Sequence, residues 1–405
     1  MKPSHIDWCP MIPDHWEEKR IKDIAFLQSG NSITAMDFVE DGKFPVYGGN
    51  GLRGYTNTYT NEGDYVLIGR QGALCGNINY AHGKFYASEH AVVVYPKKEE
   101  ITLWLGETLR TANLNRLSMT AAQPGLAVST LNLQFIPFPP KDERIRIAKY
   151  LDKKLSEIDH QVSLLTSKRD AYLRLKKSII NHAVTHGLNP NVKMKDSGIE
   201  WIGEVPEHWE MCRFKDAFRR WTTGITPDSK NYKYFESDIC KGYTWVTISD
   251  FLEKYISQSN LNLSDESIKL FMPPLSLKGS LMFSFKLSVG KIAFADKDLY
   301  TNEAIVSIPP NNGQCLEYYY YMLPNVLHEN ATENIYGAKM LNQKIIANML
   351  MVVPPLPEQR AIATYLDDKC AKIDTIVSNL DKQISRYADL KRSLIDEVIT
   401  GKRAV

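Results

Sequence analysis

The sequence predicts a mixed α/β (α+β) chain. Two globular domains alternate with two long antiparallel helices that pair as a coiled coil, and the whole forms a pseudo-two-fold internal repeat. Three observations lead there. The stretch "VPPLPEQRAIATYLDDK" at 353–369 has an earlier counterpart in "FPPKDERIRIAKYLDKK" at 138–154. A second pair, "IDWCPMIPDHWEEKRIKD" at 6–23 and "IEWIGEVPEHWEMCRFKD" at 199–216, repeats in the same order. Apolar residues downstream of each Pro-Pro pair then recur in alternating steps of three and four, the heptad pattern of a coiled coil.

Composition sets the outer limits. The chain has 405 residues, 43% hydrophobic and 24% charged, ordinary values for a folded protein with more than one core. No run approaches the ~18 apolar residues of a membrane span, and "MKPSHIDWCP" lacks the pattern of a signal peptide, so a cytoplasmic location is expected. The six cysteines include no C-x-x-C pair, so reduced thiols are expected rather than a zinc site or redox couple. Net charge is only +2. Residues 139–187 nevertheless carry about five more basic than acidic side chains, either a solvated helix surface or a hint of polyanion contact.

The elements follow in chain order as 1–140, 141–187, 188–353 and 354–405. In the opening segment Trp8, Pro13, His15, Trp16, Arg20, Lys22 and Asp23 recur as Trp201, Pro206, His208, Trp209, Arg213, Lys215 and Asp216. Residues 139–185 align with 354–400 without a gap at roughly 40% identity. Each Pro-Pro pair enforces an extended approach, and helix is expected from near Glu143 and Glu358, where a carboxylate suits the positive end of the helix dipole. The first apolar stripe is Ala148, Leu151, Leu155, Ile158, Val162 and Leu165. The second is Ala363, Leu366, Cys370, Ile373, Val377, Leu380, Ile384 and Tyr387. Gly187 and Gly401 are the expected stops, giving helices of about 40–45 residues, about 60–70 Å long. So narrow a stripe needs a partner, and the other copy is the expected one; the alternative is two ordinary long helices packed on separate domains.

Between the constant segments the two halves diverge. Strands are expected at "DYVLIGR" (64–70), "HAVVVYP" (90–96), "YTWVTIS" (243–249) and "AIVSIPP" (304–310), and helices at 102–117 and 315–329. A weak echo links 63–81 to 278–296 and 86–96 to 300–310, so one fold with two different surfaces is expected. Loops rich in Gly, Asn and Tyr allow close approach of a ligand to backbone, and Arg and Asn match guanine and adenine edges. The candidate contact residues are Asn50, Arg53, Tyr55, Arg70 and Gln71 in the first half. In the second they are Lys230, Tyr232, Lys233, Ser249, Lys286 and Lys291. Each of these loops also reads as a plain hairpin turn. Glu89 and Glu303 fall at matching places, open to either a loop-positioning role or acceptance from cytosine.

No catalytic constellation stands out. "FKLSVGKIA" fails the Walker A spacing, no N-P-P-[YF] or G-x-G-x-x-G motif is present, and "HAVTH" (182–186) lacks the glutamate of H-E-x-x-H. His182 and His186 read as helix-end histidines rather than metal ligands.

The doubled "P-[DE]-H-W-E" and the "PPLPEQRAIATYLDDKCAKID" motif with its copy "PPKDERIRIAKYLDKKLSEID" resemble the specificity (S) subunit of type I restriction-modification enzymes. The likeness runs through the whole chain in motif and order, with Lys141 and Arg144 in the first copy standing where Leu356 and Gln359 stand in the second. The resemblance implies two target recognition domains, each reading one half of a bipartite asymmetric DNA site, with the helices fixing the gap. It implies double-stranded DNA, two methyltransferase (modification) subunits and restriction (translocase-nuclease) subunits as partners. Catalysis, with S-adenosylmethionine, ATP and Mg, would then belong to those partners, leaving no catalytic residue, metal or cofactor in this chain. The alternative is a free-standing sequence-specific DNA-binding or interaction protein outside a restriction system; specific binding by the chain alone would favour it.

Overall fold

The computed structural model describes residues 1–72, 74–98, 101–118, 125–236, 238, 241–286, 288–310, 313–333, 337 and 339–405. The chain forms two compact units. One comprises Met1–Lys168 with Leu380–Val405, the other Arg169–Asn379. Each long helix is therefore shared: its first part belongs to one unit and its last part to the other.

The first unit is built on a four-stranded antiparallel sheet ordered Ala25–Ser29, Ala91–Pro96, Tyr65–Gly69, Ile78–Ala81. The two inner strands are near-continuous apolar runs because both faces are covered. One face packs on Trp104, Leu105 and Leu109 of the helix Thr102–Thr111. Leu67 and Val93 instead meet Phe85 and Ala87 of a second sheet, ordered Gly51–Thr56, Phe44–Gly48, Lys84–Ala87, Asn61–Glu62. In it Lys84–Ala87 runs parallel to Phe44–Gly48.

The second unit repeats this plan with different lengths. Its main sheet runs Thr222–Thr223, Ile305–Ile308, Leu281–Ser284, Ile292–Ala295, Tyr255–Ile256. Its second sheet runs Phe235–Glu236, Asn262–Leu263, Tyr243–Val246, Tyr300–Thr301, again with one parallel pair. The hairpins Tyr65–Gly69/Ile78–Ala81 and Leu281–Ser284/Ile292–Ala295 coincide with the weak sequence echo. In both units the repeated opening strand pairs with the strand that leads into Pro-Pro: Glu17–Arg20 with Phe135–Phe138, and Glu210–Arg213 with Leu350–Val353.

The long helices span Lys141–His186 and Leu356–Ile399. They start slightly before the expected glutamates because Pro140 and Pro355 serve as the first acceptors. The Pro140 carbonyl takes the amides of Glu143 and Arg144, and that of Pro355 takes those of Glu358 and Gln359. They stop as expected, at Gly187 (φ +75°) and Gly401 (φ +71°), in the left-handed conformation that glycine adopts without penalty. Two other elements are shorter than expected. Helix 102–117 breaks after Thr111, where Asn113 turns left-handed (φ 46°) before a short 3₁₀ turn Leu114–Leu117. The strand from Tyr243 ends at Val246 because Thr247 and Asp250 cap a 3₁₀ turn.

Within each unit a piece of one long helix packs antiparallel on a piece of the other. In the first, Asp159 pairs with Lys391 at 2.7 Å, while Tyr150, nearer the start of its helix, meets Arg403 beyond the end of the other. Leu151, Leu155 and Ile158 share a core with Leu394, Ile395, Val398 and Ile399. In the second, Lys176 pairs with Asp374 at 2.6 Å, and Ala183 and Val184 share a core with Ile362, Ala363, Leu366 and Cys370. Burying a side chain such as Leu151 or Leu366, both fully enclosed, is worth about 2 kcal/mol. Among the described residues no helix is long and apolar enough to cross a membrane. The five described cysteines are free, and Cys240 lies outside the described residues.

Candidate nucleic-acid interface

In the first unit the hairpin from Phe44–Gly48 to Gly51–Thr56 is irregular at one point. Val46 pairs with Gly54 and Tyr47 with Leu52, so Arg53 is the extra residue of a bulge. A bulge re-aims a side chain. The Arg53 stem lies against Gly48, where a Cβ would come within 2.2 Å of its Cδ, and its guanidinium sits 5.7 Å from the centre of the Phe38 ring. The arginine is thus exposed but supported. At the hairpin tip Asn50 accepts a hydrogen bond from the Asn77 amide at 2.9 Å.

Gly49 brings this tip onto the neighbouring loop. A Cβ there would stand 3.3 Å from the Gln71 carbonyl and 3.2 Å from that of His90, which accepts the Arg70 amide. Asn50, Arg53, Arg70 and Gln71 therefore converge, whereas Tyr55 lies further along the strand and is exposed. In the same unit the Asn79 Nδ2 and Glu89 Oε2 atoms are buried and find no hydrogen-bond partner among the described residues. Buried donors and acceptors are normally paired, so these two atoms carry unused hydrogen-bonding capacity. The other carboxylate oxygen of Glu89 lies 3.4 Å from the His90 ring nitrogen.

The second unit distributes its candidates over two groups. Lys230, Tyr232 and Lys233 lie on and beside the 3₁₀ turn Tyr232–Tyr234. Asp228 and Asn231 accept the amides of Lys230 and Lys233, and Ser264 donates to the Lys233 carbonyl. Both lysine side chains are exposed. The other group comprises Ser249, Lys286 and Lys291. The Ser249 hydroxyl lies 2.7 Å from that of Thr247, and the Lys291 ammonium donates to the Ile248 carbonyl at 3.2 Å. Lys286 reaches back over the Phe285 ring. Of these, Lys291 is the most committed to its own fold.

Several residues of these surfaces carry no sequence signal of their own. Phe38 supports Arg53, and Tyr243 bonds Asp265, which raises the Tyr243 hydroxyl pKa. Both are set by contacts distant in sequence. His182 and His186, flagged by their spacing, stack on one another at 4.8 Å, and His186 also contacts the Thr185 hydroxyl. Burial and the neighbouring His182 push the His186 pKa down. Among the described residues no group of three metal-ligating side chains is gathered.

Comparison with known proteins places these surfaces in context. The family model described as "Type I restriction modification DNA specificity domain" matches residues 13–164 and again 206–386. The EcoprrI specificity subunit of Escherichia coli is 40% identical over 141 residues, covering 34% of this chain and 35% of that protein. The chain therefore matches only about a third of that relative. The MjaIX specificity subunit of Methanocaldococcus jannaschii is matched over 41% of its length at 27% identity. The MjaVIII specificity subunit of the same organism aligns over 96% of this chain and 93% of its own length, at 21% identity. A solved chain from work on complex assembly and conformational transition of the type I R-M system superposes with a TM-score of 0.71. It covers 97% of this chain and 100% of itself at 15% identity, a likeness of fold.

Proposed function

The chain belongs to the type I restriction-modification DNA specificity family, and from that premise we propose that it is the sequence-reading subunit of a restriction-modification complex. In this reading each globular domain reads one half of a bipartite, asymmetric site in double-stranded DNA. The long helices set the gap between the halves and present matching surfaces to two methyltransferase subunits, which restriction subunits then join. The chain itself does no chemistry. S-adenosylmethionine, ATP and Mg act in the partners.

The observation that carries this reading is the division between what repeats and what does not. The two helix–helix ion pairs, Asp159–Lys391 and Lys176–Asp374, join repeat-equivalent residues with donor and acceptor exchanged between copies. One kind of surface can then be offered twice to identical partners. The loops of the two domains share no such equivalence: Asn50, Arg53 and Gln71 are exposed in one, Lys230, Tyr232 and Lys233 in the other. Symmetric recruitment and asymmetric reading follow from one chain. Its small net charge of +2 accords with reading bases while partners supply phosphate contacts.

Domain exchange tests this. Replacing residues 24–137 with those of another specificity subunit should change one half of the methylated motif in host DNA and leave the other half intact. Simultaneous loss of both halves would count against it. Lengthening or shortening the helices within 145–185 should change the gap and not the half-site letters. Within the first domain, Arg53→Ala should relax discrimination at one base pair by about 1–3 kcal/mol, whereas equal weakening on all sequences would mark Arg53 as a phosphate contact.

A further inference from the structure

Met36 and Tyr232 are the two most exposed large apolar side chains among the described residues, at 95% and 89%. A lone exposed methionine needs no account. These two occupy the same place in two domains whose sequences there are unrelated. Each lies in the segment between the first strand of the main sheet and the second sheet, on a one-turn 3₁₀ helix: Ala35–Asp37 after Ala25–Ser29, and Tyr232–Tyr234 after Thr222–Thr223.

In both, the backbone is pinned while the side chain is not. The Thr34 amide and hydroxyl donate to Asp37 at 2.8 and 2.7 Å, bonds that also hold the Asp37 carboxyl below its ordinary pKa. Tyr86 donates to the Ser32 carbonyl on one side, and the Val39 amide to the Tyr55 carbonyl on the other. Around Tyr232, Asn231 accepts the Lys233 amide, Ser264 holds the Lys233 carbonyl, and Tyr234 packs edge-on against Phe271 at 5.0 Å. A firmly held turn that points an apolar side chain wholly into water is organised for something that arrives.

The surroundings identify the arrival. Two residues beyond Met36, Phe38 carries the Arg53 guanidinium, and Lys230 and Lys233 flank Tyr232. Tyr232 therefore stands between two lysines, while Met36 lies beside the Asp37 carboxylate and two residues from the ring that carries Arg53, each on the face that reads DNA in the function proposed above. Methionine, slim and polarisable, and tyrosine, flat and aromatic, are suited to enter a base step and take over part of its stacking.

We propose that Met36 and Tyr232 are wedge residues, each entering a base step in the half-site read by its own domain and so coupling reading to local unstacking. This rests on the DNA-reading function of the preceding section. It also explains why the two wedges differ: each meets a different step.

The test uses the full chain assembled with the methyltransferase subunits of its own system, on a duplex carrying the motif found methylated in host DNA. Permanganate reactivity of thymines and the fluorescence of 2-aminopurine substitutions report unstacking base by base. In the wild-type complex one step in each half-site should become reactive. Met36→Ala should abolish the signal in one half only and weaken specific binding about tenfold or more, with the salt dependence unchanged, since no counterion is involved. Met36→Leu should restore it. Tyr232→Ala should do the same in the other half, with Tyr232→Phe retaining function. Fully stacked half-sites in the wild-type complex, or a signal that survives both alanine substitutions, would overturn the proposal. So would a loss of methyltransferase subunits from the Met36→Ala complex at unchanged stacking, which would make this surface a protein contact. Equal wild-type binding to target and scrambled duplexes would remove the DNA-reading function itself, and the wedges with it.

Discussion

At the start of the first long helix Arg144 is 5% exposed, donates to the Pro139 carbonyl at 2.6 Å, and lies 4.0 Å from the centre of the Phe138 ring and 5.2 Å from that of Trp104. At the equivalent position of the second helix Gln359 is 1% exposed. It donates to the Pro354 carbonyl and to Gln314, both at 2.8 Å, and accepts the Cys315 amide at 2.9 Å. Just before each anchor the two copies agree: His15 meets Glu143 at 2.9 Å and His208 meets Glu358 at 2.6 Å. One further difference is small but telling. Trp209 donates its indole N–H to Glu358 at 2.9 Å, while that of Trp16 is buried without a partner among the described residues. The His–Glu pair from the repeated opening segment recurs in both copies, while the anchor that faces a variable domain follows that domain. The helix start is where a shared scaffold is fitted to two different heads.

Exchanging the anchors gives the largest expected effect. Gln359→Arg would set a cation against the Cys315 N–H, a donor facing a donor, at a cost of about 3–5 kcal/mol. Arg144→Gln keeps the bond to Pro139 but uncovers two aromatic faces, at about 1–2 kcal/mol. Hydrogen exchange at the first amides of each helix measures both. Free interchange of the two would break the comparison.

The helix ends give a smaller, graded contrast. An alanine Cβ at Gly401 would come within 2.4 Å of the Pro13 ring, whereas at Gly187 it would stand 3.0 Å from Trp209. Gly187→Ala should cost about 1 kcal/mol, mostly left-handed backbone strain, and Gly401→Ala about 2–3 kcal/mol, with overpacking added. Thermal unfolding should rank them in that order.

Acidification gives the smallest effect and again separates the units. His186 and His328, both in the second unit, have pKa values lowered from 6.5, first by burial and then by nearby positive charge. As pH falls, the unfolded chain takes up these protons before the folded unit does. Stability is thus full above about pH 6.5 and declines as pH drops through the lower folded values. Between pH 7 and 5 the second unit should lose more protection from hydrogen exchange than the first.

Much of the architecture was legible from local pattern. The repeat, the stripe through Leu151 and Leu366, and the glycine stops all depend on residues a few positions apart. The sequence also placed the inner strands, because strands covered on both faces read as apolar runs. The helix starts were less legible, since Pro140 and Pro355 act through their carbonyls rather than through a capping side chain. Site geometry was least so. The bulge at Arg53 depends on the register of two strands, the Lys291 tie to Ile248 spans 43 residues, and Met36 offers no signal because a single apolar residue in a polar loop resembles noise. Which side chain is supported by which neighbour could not be read from local pattern.

The pairing of each helix with the other has a consequence in time. Asp159 and Lys391 are separated by 232 residues, and Lys176 and Asp374 by 198. A ribosome adding about 5–20 residues per second leaves the first helix without its counterpart for roughly 10–50 s. Throughout that interval the side of Leu151, Leu155 and Ile158 destined for Leu394–Ile399 faces the surrounding medium. The equivalent stripe on a neighbouring nascent chain is a ready competitor, so crowded synthesis from one messenger should favour tangled copies, and slower initiation should relieve them.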